Sequence, residues 1–260
     1  MIAEIARFAN DCYHIWKGPT GSKTAILRDL ILPGQSKMGF QVAHFDRQTL
    51  HYLYREIFAR QHYYFHAQNE TPVILDCGAN VGMASLYFKW LYPKARVRAF
   101  EPDPATFQLL KQNIARNKLD VETHNCAVWD ENAEVDFFVD TRNPGALLMS
   151  TDASRLNSQS IRVPARRLSD FVQGTVDFVK LDVEGAEHRV LSDLVQGGKI
   201  RAIRQMVIEY HHRIGRQKSC LAEFLLMLEH SGFEYQIHAT LYPVTSRDTF
   251  QDLLIAAYQS

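Results

Sequence analysis

The most informative segment of the chain reads Val73-Ile74-Leu75-Asp76-Cys77-Gly78-Ala79-Asn80-Val81-Gly82. Its apolar, β-branched start is typical of a buried strand, and the glycines that follow predict a tight turn. Beyond the turn, apolar residues recur at the spacing of one helix face, from Val81 to Leu91. A strand, a Gly-rich turn and a helix in this order predict the first unit of a parallel sheet.

The same alternation continues along the rest of the chain. We predict strands at residues 73–76, 96–100, 121–128, 176–181, 203–210, 235–239 and 253–258. We predict helices at residues 80–92, from Pro104 onward, at 186–194, and from Ser219 as a cap to Gly232. Residues 134–163 interrupt the pattern and predict a hairpin and loop over the sheet edge.

Helices between strands give right-handed crossovers and a parallel sheet. The last two strands lack a helix between them, only a loop containing Pro243 and Asp248, so we expect them to pair antiparallel. The sequence therefore predicts an α/β fold: a mostly parallel seven-stranded sheet with an antiparallel final strand.

Residues 1–71 do not follow this alternation. Their patterns favour a short helix at residues 2–9, strands at 25–32 and 40–44 around Pro33-Gly34, and a helix from Asp46 to Gln61. We predict two parts: an N-terminal cap of helices and a hairpin at 1–71, and a cofactor-binding domain at 72–260.

Composition narrows the class of protein. The 260 residues include 29 Lys and Arg against 29 Asp and Glu, a formal net charge of zero, and 46% are hydrophobic. This balance excludes a disordered chain and a general basic surface for nucleic acid. The apolar runs are far shorter than a membrane helix, and the start of the chain lacks a secretory signal pattern.

The cysteines point to a cellular compartment. Cys12, Cys77, Cys126 and Cys220 are scattered without a Cys-x-x-Cys pair, which favours a reducing environment. We expect a cytoplasmic protein that acts on a small molecule, with no nucleic-acid or membrane partner. The sequence does not decide whether the chain forms homo-oligomers. Arg-rich stretches around residues 162–167 and 201–216 are compatible with an anionic acceptor.

The Gly-rich turn predicts a ligand site, because ligands of open α/β sheets bind at the carboxyl ends of the strands. A site for S-adenosylmethionine wants an acid two residues before a Gly-x-Gly-x-Gly-like turn. Asp76, Gly78, Asn80 and Gly82 fit that pattern, with asparagine at the middle glycine. S-adenosylmethionine has no diphosphate that must approach the backbone at position 80, so a glycine matters less there.

A carboxylate further on supports this prediction. Glu101 lies nineteen residues past Gly82, at the tip of the second strand, where it can accept both hydroxyls of an adenosine ribose. A dinucleotide site wants Gly-x-Gly-x-x-Gly, but Asn80 and Met83 stand at the second and third glycine positions. The backbone at Cys126-Ala127, after the third strand, is expected beside an adenine ring.

Acidic residues mark the ends of the fourth and fifth strands. Asp182 and Glu184 follow the fourth strand, and Glu209 and His211 end the fifth, so all four are expected to converge. They fit a general base for a hydroxyl proton, or ligands for Mg²⁺. A structural role is also open, in which they pair with Arg189, Arg213 or Lys180.

Three segments together resemble the FkbM-type methyltransferases: the stretch quoted first, Phe100-Glu101-Pro102, and Val179-Lys180-Leu181-Asp182-Val183-Glu184-Gly185-Ala186-Glu187. The resemblance spans about residues 72–212. It implies the class I Rossmann-like methyltransferase fold, S-adenosylmethionine as cofactor, and hydroxyls of natural products or sugars as acceptors.

The resemblance implies that Asp76, Gly78, Asn80 and Gly82 form the methionine-side loop, that Glu101 holds the ribose, and that Asp182 and Glu184 face the transfer site. Together with the strand-end positions described above, it gives one predicted site. The cofactor site would comprise Asp76, Gly78, Ala79, Asn80, Gly82, Glu101, Pro102, Cys126, Ala127 and Asp182. Asp182, Glu184 and His211 would serve catalysis, and a Mg²⁺ ion, if present, would bind among Asp182, Glu184, Glu209 and His211. Two alternatives remain: an oxidoreductase using NAD or a flavin on a related sheet, and a cofactor-binding module without catalysis.

Overall fold

The computed structural model describes residues 13–17, 23–27, 39–140, 145, 147, 149–153, 159–212, 214, 220–240 and 251–259. Several predicted features lie outside these residues: the helix at 2–9, the Pro33-Gly34 turn, the Ser219 cap, and the loop with Pro243 and Asp248. In the part of the chain that is described, no helix is both long and apolar enough to cross a bilayer.

The strands are β1 (Tyr13–Lys17), β2 (Lys23–Leu27), β3 (Gln41–His44), β4 (Val73–Cys77), β5 (Arg96–Phe100), β6 (Val121–His124), β7 (Ala127–Trp129), β8 (Ala133–Val139), β9 (Gln159–Arg167), β10 (Val176–Leu181), β11 (Ile203–His212), β12 (Phe233–Ala239) and β13 (Gln251–Gln259). The α-helices are α1 (Arg47–Tyr54), α2 (Met83–Leu91), α3 (Pro104–Arg116), α4 (Glu187–Gln196) and α5 (Leu221–His230). A π-helical turn, Arg55–Ala59, continues α1, and short 3-10 helices span Leu168–Phe171 and Ile200–Ala202.

The central sheet has the order β12-β13-β11-β10-β4-β5-β6. The strands from β11 to β6 are parallel, and β13 lies antiparallel between β11 and β12. The predicted seven-stranded, mostly parallel sheet with an antiparallel final strand is therefore confirmed. Its β4–β10 pairing brings the two motif-bearing strand ends together.

The sheet is covered on both faces. Side chains of alternating residues go to opposite cores, so Ile74 packs with α2 and residues 42–65, whereas Leu75 packs with α4 and α5. Both side chains are fully buried. Strands buried on both faces explain why this part of the sequence is almost continuously apolar.

The prediction of one strand over residues 121–128 is wrong. The chain leaves the central sheet after β6 and enters a second sheet as β7. Asn125 causes this turn, because its Nδ2 donates to the carbonyl oxygens of Glu101 and Pro102 at 2.8 and 3.0 Å. The turn places Cys126 beside the carboxyl end of β5.

The predicted insertion is a small sheet with the order β7-β9-β8. β8 and β9 pair antiparallel, as a hairpin predicts, but β7 adds a parallel partner that the sequence did not reveal. Between the hairpin strands, Ser150 Oγ donates to the carbonyl oxygen of Glu184. This contact attaches the insertion to the loop that follows β10.

The segment before β4 is attached to α3 by two asparagines one turn apart. Asn113 Oδ1 accepts from the N–H of Ala43 at 2.6 Å, and its Nδ2 donates to the carbonyl oxygen of Ala43 at 3.0 Å. Asn117 makes the same pair of contacts with Gln41, at 2.9 and 2.8 Å. Both side chains thus act as a partner strand for β3, which pairs with β2 on its other side.

Candidate functional site

The site begins at the turn between β4 and α2. The N–H groups of Gly78 and Ala79 both donate to the carbonyl oxygen of Phe100, at 3.1 and 2.9 Å. Gly78 has φ +78°, and a Cβ there would overlap the carbonyl oxygen of Asp182. Glycine is therefore required at this position, because the ends of β4 and β10 meet at its Cα.

Gly82 closes the turn and starts α2. Its φ is +92°, and a Cβ would lie 2.7 Å from the side chain of Leu110 on α3. The helix begins at Met83, three residues later than the predicted start, because the intervening turn has left-handed backbone at Asn80 and Gly82. Gly82 thus allows α2 and α3 to pack closely.

Glu101 lies at the carboxyl end of β5, 5% exposed. Its Oε2 accepts from the N–H of Asn80 and its Oε1 from the N–H of Asp103, both at 2.9 Å. Burial raises the pKa of this carboxyl to about 8, although both N–H contacts act in the opposite direction. The carboxyl group is held rigidly, with further lone pairs available to a ligand.

These elements line one cavity that opens to solvent. Eight of the ten predicted cofactor residues line it: Gly78, Ala79, Asn80, Glu101, Pro102, Cys126, Ala127 and Asp182. Asp76 and Gly82 do not line the cavity and instead support its walls. The structure therefore brings most of the predicted cofactor-binding residues together around one cavity.

Sequence reasoning missed the apolar part of the same cavity. Its side chains come from α1, the π-helical turn, α2 and the insertion: Leu53, Ile57, Met83, Phe137, Leu147 and Met149. Leu53 and Ile57 were visible only as an apolar helix stripe, and nothing in the sequence placed that stripe over the Gly-rich turn. Arg162 and Arg167 of the basic patch pair with Asp136 and Asp193 at 3.7 and 2.7 Å, and neither arginine lines the cavity.

Asp76 is fully buried beneath the turn. Its Oδ2 accepts from Ser85 Oγ at 2.6 Å, and its Oδ1 lies 3.7 Å from Lys180 Nζ. Burial raises the pKa of Asp76, and the ammonium of Lys180 opposes this shift. Asp76 therefore joins the start of α2 to the end of β10 from below.

Asp182 and Glu184 do converge, but they do not lie on one face of a strand, because both follow the end of β10. β10 ends at Leu181, and the chain then turns with a left-handed φ of +52° at Glu184. Asp182 Oδ2 lies 3.1 Å from Lys180 Nζ, and Glu184 Oε2 lies 3.2 Å from His211 Nε2. The two carboxylates thus lie at the cavity with different cationic partners.

His211 is buried between two carboxylates. Its Nδ1 lies 2.8 Å from Glu187 Oε1, and its Nε2 faces Glu184. Burial opposes the charged imidazolium, but Glu187 and Glu184 together raise the pKa of His211 well above its usual value. A protonated histidine with both nitrogens engaged is a poor general base, so His211 holds the Glu184 turn in place.

Glu209, at the end of β11, faces the same region. Burial and the nearby Asp182 raise its pKa to about 8. The hydroxyl of Tyr63 donates to Glu209 Oε2 at 3.4 Å. Tyr63 precedes the predicted cofactor domain, and no motif in the sequence pointed to it.

The predicted Mg²⁺ site gains no support from this arrangement. Among the described residues, two sets of side chains have ligand atoms within 4.8 Å of one another: Asp182, Glu184 and His211, and Glu209, His211 and Asp252. Both sets include His211, whose nitrogens face carboxylates that favour its protonated form. A protonated histidine cannot ligate a metal. Asp182 has Lys180 as a cationic partner.

The family model for the methyltransferase FkbM domain matches residues 76–235. The chain is 31% identical over 233 residues to the 31-O-demethyl-FK506 methyltransferase FkbM of Streptomyces tacrolimicus, covering 75% of this chain and 86% of that protein. It is 32% identical over 151 residues to the 2-O-methyltransferase NoeI of Sinorhizobium fredii, covering 51% of this chain and 59% of that protein.

A solved structure has the same fold. The crystal structure of methyltransferase FkbM from Methylobacillus flagellatus superposes with a TM-score of 0.50 at 17% identity, over 75% of this chain and 45% of that chain. The turn, the buried Glu101 and the acidic strand ends all fall within the segment that the family model matches.

Proposed function

Because the chain belongs to the FkbM methyltransferase family, we propose that it transfers the methyl group of S-adenosylmethionine to a hydroxyl of a small molecule, such as a natural product or a sugar. One observation carries the proposal: eight of the ten predicted cofactor residues, the acid Asp182 among them, line one cavity. A methyl donor and a proton acceptor then share the same enclosed space.

The residues present fit S-adenosylmethionine. Glu101 offers carboxylate lone pairs for the two ribose hydroxyls, and the backbone at Cys126-Ala127 lies along the cavity wall, where an adenine ring would be flanked. Asn80, at the middle glycine position, uses its own N–H to hold Glu101. When bound, the cofactor supplies an electrophilic methyl group on a sulfonium centre.

An alcohol is a weak nucleophile while protonated, so the acceptor needs a proton acceptor nearby. Asp182 fits this role best, because its carboxylate lines the cavity and its side chain is 23% exposed. Glu184 also lines the cavity, but His211 engages its carboxylate. We assign the base to Asp182, and the support of its loop to Glu184 and His211.

Two further expectations accompany this function. The apolar residues Leu53 and Ile57 lie in the N-terminal segment, residues 1–71, which we propose as a cap that selects the acceptor. The thiols of Cys77 and Cys126 are unpaired and buried, in keeping with a reducing cytoplasm, where we place the protein.

The names of the two relatives above, both O-methyltransferases, favour a hydroxyl over an amine.

A methyl-transfer assay tests the base. The probes are S-adenosylmethionine with 31-O-demethyl-FK506, methyl glycosides and their amine analogues, with S-adenosylhomocysteine release as readout. We expect release with hydroxyl acceptors. Asp182→Asn should lower kcat by about 10²–10⁴-fold, the usual contribution of a general base.

The matched control is Asp120→Asn, at an exposed carboxylate, which should keep wild-type kcat. The affinity of the Asp182→Asn variant for S-adenosylhomocysteine should stay within a few-fold of wild type. Full turnover by Asp182→Asn would show that Asp182 is not the base, and release with amines alone would exclude the hydroxyl acceptor.

A further inference from the structure

Lys180 is a buried lysine at the end of β10, 3% exposed, that lines the cavity. Its Nζ donates to the carbonyl oxygen of Gly78 at 2.7 Å and lies 3.1 Å from Asp182 Oδ2. One ammonium thus contacts the backbone of the cofactor turn and the carboxylate proposed as the base.

A buried ammonium is unfavourable unless carboxylates surround it. Burial lowers the pKa of Lys180, but Asp182 and Asp76 outweigh this effect and raise it, with a smaller contribution from Glu209. Glu101, at the end of β5, also senses this charge. Lys180 therefore stays protonated amid acids from β4, β5, β10 and β11.

The ring of Tyr63 also lies against the ammonium. The centroid of its ring lies 5.3 Å from Lys180 Nζ, within the range of a cation–π contact. Tyr63 is itself 6% exposed, and its hydroxyl donates to Glu209. Tyr63 lies outside the segment that the family model matches, so the N-terminal segment contributes to the environment of the proposed base.

From these contacts we propose that Lys180 is a positioning residue for methyl transfer. It holds the carboxylate of Asp182 against the Gly78 turn, and Tyr63 keeps water from this contact. The inference rests on the proposed role of Asp182 as base. It goes beyond that role, because it names the groups that fix where the base stands relative to the bound cofactor.

A purely structural lysine would behave differently. If Lys180 only neutralised Asp76, its loss would lower stability and its effect on turnover would add to that of Asp182→Asn. If Lys180 acts through Asp182, the two effects on kcat overlap, because the lysine has nothing left to position once the carboxylate is gone.

A double-mutant cycle distinguishes these roles. We expect Lys180→Met to lower kcat by about 10–100-fold with little change in KM for the acceptor, as for an interaction made mainly in the transition state. The double variant Lys180→Met/Asp182→Asn should be no more than about threefold slower than Asp182→Asn alone. If the loss in kcat of the double variant equals the product of the two single losses, the proposal is wrong.

The matched control is Lys89→Met. Lys89 is also a buried lysine, 7% exposed, but its Nζ donates to the carbonyl oxygen of Ala95, away from the cavity. Its loss should lower stability without changing the pH profile of kcat. If Lys180→Met does not fold, Lys180→Arg keeps the charge, and its longer, planar head cannot reproduce both contacts; the same overlap with Asp182→Asn is expected.

The pH profile gives a second readout. The ammonium of Lys180 lowers the pKa of Asp76, Glu101 and Glu209, so these carboxyls become easier to protonate without it. The acidic limb of the kcat profile should therefore move to higher pH in Lys180→Met, and to a lesser extent in Tyr63→Ala. Tyr63→Phe, which keeps the ring, should retain more activity than Tyr63→Ala.

The two proposals fail in different ways. Full activity of Asp182→Asn rejects the base, whatever Lys180→Met does. The positioning role of Lys180 is rejected if Asp182→Asn is slow, Lys180→Met leaves the pH profile of kcat unshifted, and the two losses in kcat multiply in the double variant. Asp182 then remains the proposed base.

Discussion

Glu101, the residue we propose to bind the ribose, should couple cofactor binding to pH. Burial raises its pKa to about 8, so at neutral pH the free protein holds this carboxyl mostly protonated. Ribose hydroxyls donate to the ionised form and favour it. Binding of the cofactor should therefore release a proton from the protein.

The affinity for S-adenosylhomocysteine should accordingly rise between pH 6.5 and 8.5, as the carboxyl loses its proton, and level off above that range. Titration calorimetry at several pH values measures this dependence, and Glu101→Gln should bind more weakly and with a flatter profile. An affinity that is equal across this range in wild type and variant would show that Glu101 does not contact the ribose.

At the scale of elements, the loop between β10 and α4 is organised by a histidine from the neighbouring strand. Glu187, at the start of α4, accepts from the N–H groups of Gly185 and Val183 as well as facing His211. Glu187 and His211 are 1% and 5% exposed. This ion pair links three segments, so its loss leaves a buried carboxylate without a countercharge.

We expect His211→Gln to lower the free energy of unfolding by about 3–5 kcal/mol at pH 6, the usual effect of breaking a buried ion pair. The folded state raises the pKa of His211, so this stabilisation is complete below the histidine's unfolded value and is lost as pH rises through the folded value. Urea unfolding measures the difference, which should narrow at alkaline pH.

The control is His230→Gln, at the exposed end of α5, which should change stability by less than about 0.5 kcal/mol. Equal unfolding midpoints for His211→Gln and wild type at pH 6 would contradict the assigned ion pair.

At the scale of the whole molecule, local pattern was enough to predict the central sheet and the Gly-rich turn after β4. Strand and helix periodicity, the glycines of the turn and the acids that follow β5 and β10 can each be recognised within a few consecutive residues. The sequence could not show that Asn125 breaks the third strand, because its partners are carbonyl oxygens on another loop.

The parts of the site that escaped prediction are those built from distant segments. Tyr63 reaches Lys180 across more than a hundred residues, and Leu53 and Ile57 become cavity walls only when α1 packs over the turn. The sequence indicated Lys180 only as one of three basic residues that could pair with the acidic residues at the strand ends. Its importance follows from burial and from contacts with two strand ends, and neither is visible in sequence.

We propose that the cavity binds S-adenosylmethionine to serve methyl transfer. The test is titration calorimetry of the wild-type protein with S-adenosylhomocysteine and, separately, with NAD. We expect saturable binding of S-adenosylhomocysteine at one site per chain and no binding of NAD. Binding of NAD with no binding of S-adenosylhomocysteine would contradict it.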